Sequence, residues 1–235
     1  MKSKIILFLF FASFLSASAQ NKTTFGLQYK PIIPAAYFNS SDVSKSSEEY
    51  SFNLTPKYSN SFGMVIRQKI NATFSIESGL NYIQRNFSLT INRTDSININ
   101  DKTEFGLRSY ELPLQLLAYV QTSEHWFVNA SFGFSYNTLA SDAISKGIEN
   151  DSFYQYTMRR RGGYVALLTN VGLEYRTEKN GNYYLGVSLH RPFKEIAYVF
   201  PEHKIEVGVT NINDEFNIKV LGNFISIDLR YFFAE

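Results

Sequence analysis

The sequence has no cysteine, and its three histidines, His125, His190 and His203, never stand at metal-ligand spacing. Disulfide scaffolds and cysteine-based zinc sites are thereby excluded, and no metal or other cofactor is expected. Charge is scarce as well: Asp, Glu, Lys and Arg make up 19% of the 235 residues and gather in no long block of one sign. Such a composition fits neither a disordered chain nor one that coats nucleic acid. Beyond residue 19 there is no apolar run approaching the ~20 residues of a helical membrane span. What is abundant is apolar and aromatic: 44% hydrophobic residues, with 21 Phe and 16 Tyr, beside 13 Gly.

The one continuous apolar run is N-terminal. Lys2 and Lys4 precede Ile5–Leu15, and Ala17-Ser18-Ala19 offers a small-residue cleavage site before Gln20. Residues 1–19 therefore read as a cleaved export signal and residues 20–235 as one domain. Loss of the two lysines leaves 21 basic and 21 acidic residues, a formally neutral chain with no electrostatic case for a DNA or RNA partner.

In that domain apolar residues recur with a period of two, the signature of strands. Eight segments show it: Thr24–Pro34, Tyr58–Gln68, Ala72–Ser88, Thr103–Val120, Trp126–Tyr136, Gly163–Arg176, Asn182–His190 and Asn223–Phe233. The clearest sets Trp126, Val128, Ala130, Phe132, Phe134 and Tyr136 against Asn129, Ser131, Gly133 and Ser135. Alternation alone does not say which face is inside. The bore of an eight-stranded barrel holds few side chains, and this apolar set is too bulky for it. The other set carries Gly26, Gly63, Gly79, Gly133, Gly172 and Gly186, which suit a crowded interior. The polar face should point in and the Phe, Tyr and Leu face out, as in an outer-membrane barrel.

The connections alternate in the way that class requires. Residues 35–57, 89–102, 137–161 and 191–222 make long links, whereas 69–71, 121–125 and 177–181 make short ones, the last with Asn180-Gly181. The expected fold is all-β, an eight-stranded antiparallel up-and-down transmembrane β-barrel with short periplasmic turns and long external loops. Lys204–Thr210 and Phe216–Leu221 flank a turn at Asn211–Asp214; they are expected as a hairpin protruding in the last loop, with a ten-stranded barrel as the alternative.

The inward set carries Arg67, Arg85, Arg176 and Arg230 with Glu77, Glu111, Glu174 and Asp228. Four cations matched by four anions in a narrow bore predict a paired structural network, a plug rather than a solute path. Ser188 and His190 share a face, with Glu195 beyond them, yet their spacing matches no hydrolase signature, so no catalytic residue is assigned and the chain is expected not to be an enzyme. The Asn-x-Ser/Thr triplets at Asn39, Asn53, Asn71, Asn92 and Asn129 are compositional, since Asn71 falls in a periplasmic turn and Asn129 on the inward face.

The run Ser109-Tyr110-Glu111-Leu112-Pro113-Leu114-Gln115-Leu116 resembles the Tyr-Leu-Glu-Ile-Pro-Leu-Leu-Leu signature of PorT-like outer membrane β-barrel proteins of Bacteroidetes. Gly26 in the first strand, Ser78-Gly79-Leu80, Gly172-Leu173-Glu174-Tyr175 and the aromatic last strand follow the same order of elements. The chain departs from the pattern where Glu111 follows Tyr110 directly and where Ala234-Glu235 extend past Phe232-Phe233. The resemblance implies a Gram-negative outer-membrane location, and its namesake is tied to a protein secretion system. The expected partners are outer-membrane lipids and a protein or surface ligand at the external loops, with the barrel a monomer. Two other classes remain open: a secreted or periplasmic lipocalin-like carrier, and a membrane-embedded lipid-modifying enzyme.

Overall fold

The computed structural model describes residues 23–34, 43–46, 50–93, 99–149, 153–203 and 217–234. The expected export signal and the segment Lys204–Thr210 lie outside them. Every described element is a strand: β1 (Thr23–Ile33), β2 (Val43–Ser46), β3 (Tyr50–Pro56), β4 (Ser59–Lys69), β5 (Phe74–Arg93), β6 (Ile99–Gln121), β7 (Trp126–Leu139), β8 (Ala143–Lys146), β9 (Phe153–Arg159), β10 (Tyr164–Arg176), β11 (Asn182–Pro192), β12 (Ala197–His203), β13 (Ile218–Val220) and β14 (Phe224–Phe232).

Eight of these close a ring in the order β1, β4, β5, β6, β7, β10, β11, β14, each antiparallel to its neighbours. β14 returns to β1 with Gln28 opposite Arg230, so no edge is left within the ring. The ten-stranded alternative is thereby set aside. Residues 218–220, in the segment expected as half of a hairpin, form β13, which pairs with β12 in a separate sheet and not with the ring.

The face assignment follows the alternation. Leu27, Phe62, Met64, Leu112, Leu114, Phe132, Val171 and Leu185 are each about half exposed on the outside. Gln28, Arg67, Glu77, Asn81, Glu111, Asn129, Glu174 and Asp228 are buried inside. A carrier of the lipocalin type, with an apolar hollow, is excluded by this arrangement. Aromatic rings border the outer band at both ends. Phe62, Tyr82 and Tyr110 form a row with centroid spacings of 5.1 and 5.9 Å towards the long connections. Trp126 with Tyr175 (4.9 Å) and Tyr183 with Tyr231 (5.2 Å) line the short-turn end. From Tyr136 to Trp126 along β7 is ten residues, about 33 Å of strand, which at a tilt of about 40° gives a band about 25 Å tall, the height of a membrane-spanning girdle.

Inside, glycine serves close packing. Gly172 and Gly186 face each other across β10 and β11, and a Cβ on either would strike the Tyr184 hydroxyl, whose ring covers both. Tyr184 thus fills the space two side chains would occupy, the covering of glycine by an aromatic ring seen in curved sheets.

The long connections correct two expectations. Residues 89–102, expected as a loop, are largely strand: β5 runs to Arg93 and β6 begins at Ile99, and the two pair through Arg93 opposite Ile99. The link from β1 to β4 contains β2 and β3, with β3 paired to the upper part of β5. β8, β9, β12 and β13 form a second sheet over the same end. Together they enclose a core of their own, in which Phe52, Leu89, Ile91, Phe153, Ile196 and Val199 are fully buried. The barrel therefore carries a folded cap.

The change from membrane to cap is written in the strands. On β5 the inward residues pass from Glu77 and Asn81 to Phe87, Leu89 and Ile91, while the outward ones pass from Ile76, Leu80 and Tyr82 to Gln84, Asn86 and Thr90. The strand keeps its direction and pairing; what changes is the solvent outside it. Facing lipid, the wall is apolar outside and polar within, and facing water it takes the opposite pattern.

Candidate functional site

The bore is crossed by one chain of ion pairs. Lys30 on β1 lies 3.3 Å from Asp228 on β14, and Asp228 is 2.7 Å from Arg230. Arg230 reaches across the bore to Glu77 on β5 at 2.6 Å, and Glu77 takes Arg67 of β4 at 2.7 Å. Arg67 then spans to Glu174 on β10 at 2.7 Å, which also holds Arg176 at 2.6 Å. Asp228 further accepts from Ser188 (2.7 Å), Ser226 (3.0 Å) and Asn170 (3.1 Å). The guanidinium groups are stacked as well as paired: Arg67 lies 3.7 Å over Phe232, Arg176 3.9 Å over Phe127 and Arg230 4.8 Å over Tyr184.

A second cluster sits towards the cap. Gln28 donates to Asn81 (2.5 Å), Asn81 donates to Glu111 (2.8 Å), and His190 Nε2 lies 3.3 Å from the other Glu111 oxygen. The His190 ring is stacked on Phe224 at 4.5 Å. Between them is a cavity of about 10 Å³, lined by Lys30, Ser61, Glu111, Ser188 and His190 among others, space for about one water. Ile83 and Phe224 are among its walls and cluster with Ile32. A wider vestibule of about 350 Å³ opens at the short-turn end, where Arg67, Tyr119 and Arg176 line it.

Of the eight charged residues expected in the bore, the structure joins six in the first chain: Arg67, Glu77, Glu174, Arg176, Asp228 and Arg230. Glu111 belongs to the second cluster and meets histidine rather than arginine. Arg85 meets no carboxylate among the described residues; its Nη1 donates to Ser109 at 2.8 Å. The expected balance of four and four therefore changes, because Lys30 joins as a fifth cation. Its place was legible, since it shares the inward phase of Gly26 and Gln28. The triad reading of the histidines also fails geometrically. Ser188 is committed to Asp228, while Glu195 lies in the cap, 3.5 Å from Lys219 and 3.8 Å from Arg160. There a bond from its own backbone amide, aided by these cations, holds the Glu195 carboxyl below the usual carboxylate range. His125 is a partly exposed turn residue stacked on Tyr175.

No protein-family model matches the chain, and no curated protein matches it. Among solved structures it is similar to the outer membrane protease OmpT from Escherichia coli, at 8% identity and a TM-score of 0.33, over 90% of this chain and 91% of that one. One expectation is corrected by this match: with a protease among the similar structures, the assignment of the chain as not an enzyme is withdrawn.

Proposed function

We propose that this chain is an integral outer-membrane protein of a Gram-negative cell, a barrel whose bore is closed by its ion-pair network and whose cap is a surface for a protein or ligand outside the cell. The short-turn end is then periplasmic. The observation that carries the reading is the pairing of an outward apolar band, bordered by two aromatic rows, with an inward face of buried charge. The PorT-like run around Glu111 supports a secretion-associated setting for the cap. A bore filled by Arg67, Glu77, Glu174 and Arg230 supports anchoring rather than passage.

Two measurements test this. Leu114 is 61% exposed in mid-strand on β6, so Leu114→Arg should destabilise the barrel in lipid vesicles by about 2–4 kcal/mol in denaturant titrations. An unchanged midpoint would mean that this face meets water. The intact barrel in planar bilayers should show no stable conductance above baseline, and long-lived channels would remove the plug.

A further inference from the structure

Above the end of β1 the wall has a notch. Among the described residues β2 is the outermost strand of one sheet and β13 of the other, and the two come together over the point where β1 ends at Ile33. Lys45 Nζ bridges them at the top by donating to the Asn217 carbonyl at 3.3 Å. Beneath that bridge lies a cavity of about 50 Å³ lined by Ile33, Leu54, Phe87, Leu221 and Phe224, with Arg85 among its walls. By the space a single water needs, this is room for three or four waters, or for a carboxylate and its first few methylenes.

Arg85 is what singles the notch out. It is 4% exposed, its Cζ lies 5.0 Å over the Phe224 ring, and among the described residues its Nε and Nη2 have no hydrogen-bond partner. Among the described residues it has no ion pair, unlike Arg67, Arg176 and Arg230. The guanidinium stays charged in any protein environment, and a buried charge without a counter-ion is strongly unfavourable. Glu111 accepts from Asn81 and lies 3.3 Å from His190 Nε2. Nε and Nη2 lie on one edge of the guanidinium and form the fork that a carboxylate accepts with both oxygens. The other lining residues are mostly apolar, and Ile33, 41% exposed, carries the lining onto the outer face at the upper edge of the apolar band.

We propose that the notch binds a long-chain fatty carboxylate drawn from the adjacent leaflet. Its head pairs with Nε and Nη2 of Arg85, the first methylenes lie against Phe224, Leu54 and Leu221, and the tail leaves past Ile33 along the lipid-facing wall. The site goes beyond the anchoring role, and only the source of its ligand rests on the membrane reading.

The test is native mass spectrometry of the full folded barrel in detergent, with palmitate, methyl palmitate and hexadecyl phosphate as probes. One palmitate per barrel should be retained, and methyl palmitate at least tenfold more weakly, because the ester cannot form the ion pair. Arg85→Met, which keeps the length and removes the charge, should weaken palmitate at least tenfold. Leu221→Trp, which fills the notch and leaves Arg85 in place, should do the same. Equal retention of palmitate and its methyl ester by the wild-type protein would overturn the proposal, with no need for any variant to fold. Tighter retention of hexadecyl phosphate than of palmitate would overturn the carboxylate assignment. No retention of palmitate by a barrel that inserts normally into vesicles would sink the site and leave the membrane reading standing.

Discussion

Replacing Glu77 by leucine should lower the stability of the barrel by about 3–5 kcal/mol, read as a shift of the denaturant midpoint in lipid vesicles. Glu77 is 3% exposed and is bound to two guanidinium groups on different strands, Arg67 at 2.7 Å and Arg230 at 2.6 Å. Its loss leaves both cations buried with one carboxylate partner each, and the energy lost is chiefly that of a charge held away from water without its full complement. Position in the bore makes the effect large. Lys57 and Glu104 also form a pair, at 3.4 Å, but both are about half exposed, and Lys57→Ala should change stability by less than about 1 kcal/mol. If Glu77→Leu were as mild as Lys57→Ala, the bore would have to be hydrated enough to screen its charges, and the plug would be lost with it.

The same contrast explains what could be read from the sequence and what could not. In the membrane-spanning part of each strand, two solvents of opposite character lie on the two faces. The alternation there is steep, as in Trp126–Tyr136, and it names the inward residues individually. At the cap the polarity inverts without a break in the strand. On β6 the inward side runs Glu111, Ser109, Leu107, Phe105 and the outward side Leu112, Tyr110, Arg108, Gly106. A reader following one apolar face sees the pattern stop there and places a loop at 89–102. The cap strands were hidden for a related reason. In Tyr50–Pro56 the alternation of Phe52 and Leu54 with Ser51 and Asn53 is clear, but it is only one turn of the pattern, set in a polar surround. Partner choice in the bore was out of reach altogether. Glu77 and Arg230 are 153 residues apart and meet only because the ring closes, and His190 on β11 meets Glu111 on β6 for the same reason.

A second large effect separates the two cores. Phe153 on β9 is fully buried in the cap, beside Leu89, Ile91 and Val199, and Phe153→Ala should cost about 3–5 kcal/mol through lost burial and the cavity left behind. The loss should stay local. β9 is held by β8 and β12 in a sheet distinct from the ring, whereas the membrane-spanning wall is held by ladder bonds in a closed circle and by the ion-pair chain. Hydrogen exchange should therefore show amides of β8, β9 and β12 losing protection while those of β4 and of β5 around Glu77 keep theirs, with heat-dependent gel mobility unchanged. Protection lost equally in the bore would mean that cap and plug fold as one unit. In that case the apolar cap core, and not the ion-pair network alone, would set the stability of the membrane-spanning wall, because Phe87 and Phe105 belong to the cap core and sit on the same strands as Glu77 and Glu111.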